Sequence, residues 1–100
     1  MHLQTRKVLK KLSTHGEEWH RRMMDAISEY FKLQDCKVVI EPILNHGRAD
    51  LGIYLSRKAP PLYVEIGTVS LYKLWYNSLT MKNVKFLLVP FENSAIEFIT

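Results

Sequence analysis

Between residues 48 and 68 two short runs of strand-forming residues flank a link that contains two adjacent prolines, and each run carries one acid. The first is Arg48-Ala49-Asp50-Leu51-Gly52-Ile53-Tyr54 and the second is Leu62-Tyr63-Val64-Glu65-Ile66-Gly67-Thr68, with Arg57, Lys58, Pro60 and Pro61 between them. β-branched and aromatic residues suit a half-buried pleated surface, whereas proline cannot donate to a ladder, so the spacing predicts two strands joined by a turn over 56–61. A hairpin of this kind brings Asp50 and Glu65 side by side. Two converging carboxylates offer hard oxygen donors to a divalent metal. The structural alternative is that Asp50 caps a turn and Glu65 is solvated. A charge inside the apolar run from Tyr63 to Ile66 then has to be explained, because carboxylates are seldom buried without a partner.

The rest of the chain supplies the frame. Thr14-His15-Gly16-Glu17 has the form of a capping box, which predicts a helix beginning near His15. Trp19, Met23, Ala26, Ile27, Tyr30 and Phe31 follow at helical spacing, with Glu18, Arg21, Arg22, Asp25, Ser28, Glu29 and Lys32 opposite. His20 falls at the edge of the apolar stripe. Val38 to Leu44 reads as a first strand kinked at Glu41-Pro42, and Asn45-His46-Gly47 as a turn. Three strands with short links make an antiparallel meander. A second helix is expected from about Ser70 to Leu79, with Leu71, Leu74 and Trp75 on one side, Tyr72 and Tyr76 on another, and Lys73 and Asn77 on a narrow polar third. Two apolar sides call for two covering surfaces, the sheet and a second subunit. Val84 to Val89 is almost continuously apolar, which predicts a central strand, and a strand reached through a helix pairs in parallel. Ala95 to Ile99 is a final short strand or helical turn.

One hundred residues make one domain, divided here into a basic extension over residues 1–13 and a single domain over 14–100. The extension holds Arg6, Lys7, Lys10 and Lys11, and reads either as a solvated helix or as an arm for phosphates. Fourteen basic against ten acidic residues give a net charge of +4, which tilts the expected partner toward a polyanion. The single cysteine, Cys36, excludes an internal disulfide and a cysteine metal cluster. No apolar run approaches the ~18 residues that span a bilayer. The expectation is an intracellular, cytoplasmic protein without a membrane partner.

Helix, three-strand meander, helix, strand is the core order of the PD-(D/E)XK nucleases, and Arg48-Ala49-Asp50 resembles that family's Pro-Asp element. Val64-Glu65-Ile66-Gly67-Thr68 resembles its (Asp/Glu)-x-Lys element, and Gly16 to Met23 is similar to a helix of archaeal Holliday-junction resolvases, a small dimeric branch. The resemblance implies a restriction-endonuclease-like α/β fold and an Mg²⁺ or Mn²⁺ site formed by Asp50, Glu65 and the carbonyl of Ile66. Gly67 stands where the family has its lysine, and Lys73, ahead of Lys85, is the best substitute by position. The family's helix glutamate would fall near His20, with Glu17 one turn away.

The reading is a metal-dependent DNA endonuclease, structure-selective in its resolvase-like form, with Asp50, Glu65 and Lys73 as catalytic residues. Arg48, Arg57, Lys58, Lys10 and Lys11 would grip the nucleic-acid backbone, Glu17 or His20 would contribute from the helix, and Leu71, Tyr72, Trp75 and Tyr76 would form a homodimer interface. The alternatives are a catalytically inactive nucleic-acid-binding or scaffold module of the same fold, and an unrelated α/β interaction domain.

Overall fold

The computed structural model describes the backbone of residues 2–100 apart from Arg57 and Glu92, and the side chains from Gly16 onward with the same two exceptions. The chain is a mixed α/β protein in which two helices accompany one five-stranded mixed sheet. The elements run α1 (His2–Lys32), β1 (Lys37–Ile40), β2 (Leu51–Tyr54), β3 (Leu62–Ile66), α2 (Leu71–Thr80), β4 (Lys85–Phe91) and β5 (Ser94–Ile99). Spatial order follows chain order: β1, β2 and β3 form the antiparallel meander, β4 joins β3 in parallel, and β5 returns antiparallel to β4. The expected element order is therefore observed, with the last segment resolved as a strand.

Two expectations are corrected and a third is narrowed. The first helix does not begin at His15. It runs unbroken from His2, so Thr14 to Glu17 is helix interior rather than a capping box. Residues 2–12 are mostly Leu, Gln, Arg and Lys, good helix formers that give the chain no reason to stop before Gly16. β4 is an interior strand as expected, because β5 extends the sheet beyond it, but it is not covered at every position. The strand buried at every position is β3, while β4 is only partly covered and carries a register irregularity between Leu88 and Phe91, where Pro90 lacks an N–H. β1 ends at Ile40, after which Glu41 adopts a positive φ of 50° and Ile43 keeps only an isolated bridge to Arg48.

Alternation along the strands divides the core into two layers. On one side Leu51, Ile53, Leu62, Val64, Ile66 and Val89 pack beneath Trp19, Met23, Met24, Ile27 and Phe31 of α1. The sequence stripe is thus the buried face, except that Ala26 and Tyr30 are exposed, Met24 joins the packing and Ser28 is buried. On the other side Leu44, Ala49, Tyr63, Val84 and Phe86 cluster with Tyr54, Met81 and Phe98. No residue of α2 belongs to either cluster. The only side chain that α2 buries is Asn77, while Leu71, Tyr72, Trp75, Tyr76 and Leu79 are exposed. The polar third of this helix faces inward, and its apolar sides face out.

Candidate functional site

Asp50 ends the connection from β1 and immediately precedes β2; Glu65 is the penultimate residue of β3. Because Leu51 pairs with Val64, both acids lie at the same end of the hairpin. The ladder between β2 and β3 stops at that pair, which would leave the Ile66 N–H without a strand partner. Asp50 takes over this role: its own N–H donates to the Val64 carbonyl at 3.0 Å, and its Oδ2 accepts from the Ile66 N–H at 2.6 Å. A carboxylate bonded in this way is fixed in orientation by the strand that carries Glu65. Its other oxygen, Oδ1, lies 3.2 Å from Nε2 of His20 on α1.

Glu65 is buried to 5% exposure. It shares its face of β3 with Tyr63, toward the side where α2 lies. Lys73, in the first turn of α2, reaches back so that its Nζ is 2.7 Å from Glu65 Oε2 and donates to the Arg48 carbonyl at 2.6 Å. Burial raises the Glu65 carboxyl above its ordinary value; Lys73 opposes the shift through its hydrogen bond and charge, and the negative charge of Asp50 adds to it. The net direction is upward despite a lysine in contact, so desolvation outweighs the ion pair.

Gly67 offers no side chain two residues beyond Glu65. The chain leaves β3 there with φ +83°, and its N–H donates to the Val89 carbonyl at 2.8 Å. A Cβ at this position would meet only the Trp19 ring, at 3.8 Å, so space is not the obstacle. The backbone is, because left-handed φ disfavours any residue with a Cβ. Beside Gly67, the buried indole N–H of Trp19 has no hydrogen-bond partner among the described residues.

The expected residues thus divide into two groups. Asp50, Glu65, Ile66, Lys73, His20 and the backbone of Arg48 come together at one end of the sheet. Glu17 is exposed on α1 and makes no ion pair among the described residues. Lys58 belongs to the turn at the opposite end of the hairpin, on the order of 15 Å from Asp50 at ~3.3 Å per strand residue. Arg57 and the side chains of Lys10 and Lys11 lie outside the described residues. Trp19 and Asn77 went unassigned in the sequence because a tryptophan in an apolar stripe and an asparagine in a helix carry no chemical signature.

In donor chemistry the cluster fits a hard divalent cation. Mg²⁺ takes oxygen ligands, typically one or two carboxylates together with water and phosphate, and Asp50, Glu65 and the Ile66 carbonyl are of that kind. Among the described residues no three His, Cys, Asp or Glu side chains converge on one point, so the protein's share of such a site is two carboxylates. No protein-family model, no curated protein and no solved structure matches this chain. Among the described residues no helix is long and apolar enough to cross a membrane.

Proposed function

We propose that the chain is a metal-dependent DNA endonuclease of PD-(D/E)XK type, acting as a homodimer, in which the lysine of the motif is supplied by α2. The observation that carries this reading is the 2.7 Å contact between Lys73 and the buried Glu65. Solvated lysines do not pack against buried carboxylates without a reason, and burial of such a pair is weak in stability terms. In this reading Asp50, Glu65 and the Ile66 carbonyl hold Mg²⁺ or Mn²⁺. When bound, such an ion polarises a phosphate oxygen and makes a coordinated water more acidic. Asp50 is kept in place by the Ile66 N–H, Lys73 offsets charge that builds on the phosphate, and His20 braces Asp50 from α1. The exposed side chain of Arg48 is available to the phosphate backbone. Support for self-association comes from α2, whose exposed side holds Leu71, Tyr72, Trp75, Tyr76 and Leu79 and no charged residue. A neutral aromatic face suits a second copy better than a polyanion, which requires cations.

One observation favours an inactive nucleic-acid-binding module instead. Lys73 is already satisfied by Glu65 and by the Arg48 carbonyl, which leaves Glu65 tied to a cation of the protein's own. A cleavage assay on duplex, single-stranded and four-way-junction DNA separates the two. With Mg²⁺ or Mn²⁺ the parent should cut, and Asp50→Ala, Glu65→Ala and Lys73→Met should each lose about 10²-fold or more in rate. Cutting that survives either carboxylate substitution overturns the nuclease reading; salt-sensitive binding without cutting by the parent establishes the module.

A further inference from the structure

The inward side of α2 carries two polar residues one helical turn apart, Lys73 and Asn77, and they act on the same short loop. Asn77 is 1% exposed. Its Oδ1 accepts from the His46 N–H at 2.8 Å, and its Nδ2 donates to the His46 carbonyl at 2.9 Å. One side-chain amide thereby satisfies both polar groups of one backbone residue, which also fixes which end of the amide is which. Asn45 Nδ2 adds a second tie to Thr80 Oγ1 at 3.0 Å, and the His46 ring lies against Tyr72 and Tyr76. Two residues on from His46, the Arg48 carbonyl accepts from Lys73. Gly47, between them, has φ +71°, and a Cβ there would come within 3.0 Å of Lys73 Cδ. The loop over 45–48 is therefore pinned to α2 by Asn77, opened for the lysine stem by Gly47, and closed on the ammonium group by the Arg48 carbonyl.

We infer that Asn77 and Gly47 are positioning residues for Lys73, which hold its ammonium group on Glu65. A lysine side chain has four rotatable bonds, and its first-turn location on α2 does not by itself select the rotamer that reaches β3. The channel made by the loop does. The catalytic consequence rests on the nuclease reading; the positioning itself does not.

Two readouts keep these apart. The first is acylation of lysines by limiting acetic anhydride, mapped by mass spectrometry, with exposed Lys82 as internal reference and Lys85, which faces Glu97 at 3.9 Å, as control for general loosening. In the parent Lys73 should react slowly relative to Lys82. Asn77→Ala should raise its relative reactivity severalfold with Lys85 unchanged, Gly47→Ala should act in the same direction, and Asn77→Asp, which keeps only the acceptor for the His46 N–H, should fall between. Unchanged Lys73 reactivity in either alanine variant, or a rise shared with Lys85, overturns the inference. Gly47→Ala lies in an exposed turn and touches only the Lys73 stem, not the core, so it carries the test should Asn77→Ala not fold. The second readout is cleavage, where the same variants should lower kcat toward the level of Lys73→Met at unchanged KM. A parent that does not cut removes the nuclease reading, and the acylation result still decides the positioning.

Discussion

The two helices of this protein are held to the same sheet by opposite means. α1 buries an apolar stripe, with Trp19, Met23, Met24, Ile27 and Phe31 laid over β1, β2 and β3 and packed in one cluster with Val89 of β4. α2 buries one asparagine and points Leu71, at 83% exposure, and Trp75, at 58%, outward. Ten residues make a helix too short to be stable by propensity alone, so α2 depends on its anchors. These are the Ser70 cap on the Lys73 N–H, the amide clamp of Asn77 and the ammonium group of Lys73. Apolar packing holds an element in place but tolerates small displacements, whereas hydrogen bonds and ion pairs fix direction. A helix whose task is to place one charged atom is served better by the second arrangement, and its apolar face is then free for another surface.

The contrast breaks most readily at Lys73. Its replacement by Met leaves Glu65 buried without its cation and should cost about 2–3 kcal/mol, below the full value for a buried pair because Lys73 keeps about one-fifth exposure. The double variant Glu65→Leu/Lys73→Met should recover that loss or exceed it, since apolar residues of similar volume avoid the desolvation of both charges. Chemical denaturation measures both, and a double variant less stable than Lys73→Met would mean that the pair serves stability rather than chemistry.

Next in size is the difference between the helices themselves. Ile27→Ala should cost about 2–3 kcal/mol as a truncation against the core. Trp75→Ala should change the stability of the monomer by no more than about 0.5 kcal/mol. If the outward face joins two copies, Trp75→Glu should also reduce the sedimenting mass, and an unchanged mass counts against the dimer. A lysine placed two residues beyond Glu65 tests the proposed role of Lys73: Gly67→Lys should cost about 1–2 kcal/mol for a left-handed residue with a side chain. It should also fail to restore cutting to Lys73→Met, because a strained backbone does not aim its side chain as a regular strand would.

Much of the fold could be read from the sequence because periodicity reports burial. The stripe of α1 and the hairpin over 50–67 follow from where apolar residues recur, and the parallel return of β4 from the helix that precedes it. α2 was misread for the same reason. Its apolar residues, at helical spacing, predicted that the sheet would cover one of its sides, yet polar partners on the loop over 45–48 decide which way it faces. Those partners are backbone groups, which have no identity in a sequence. Of the site, Glu65 is legible as a charge inside an apolar run, Asp50 as its neighbour across the hairpin, and Lys73 only by its position relative to the resembled motif; Asn77 is not, because its two bonds go to the main chain of His46.

The smallest expected effect is also the most specific to the buried acid. Glu65 holds its proton more tightly in the folded chain than in the unfolded one, where the ordinary value is 4.5. Between that value and the raised one the folded state binds more protons, so this group's contribution to stability is fully present below pH 4.5 and is lost as pH rises through the folded value. Glu65→Gln cannot titrate and should lack this loss. The stability of the glutamine variant relative to the parent should therefore rise with pH across that window, as read from denaturation midpoints at a series of pH values. A difference that stays flat would mean that Lys73 cancels the burial of Glu65 in full. α2 would then hold its lysine on a carboxylate no harder to ionise than one in water, and its polar anchoring would have no electrostatic consequence at the site.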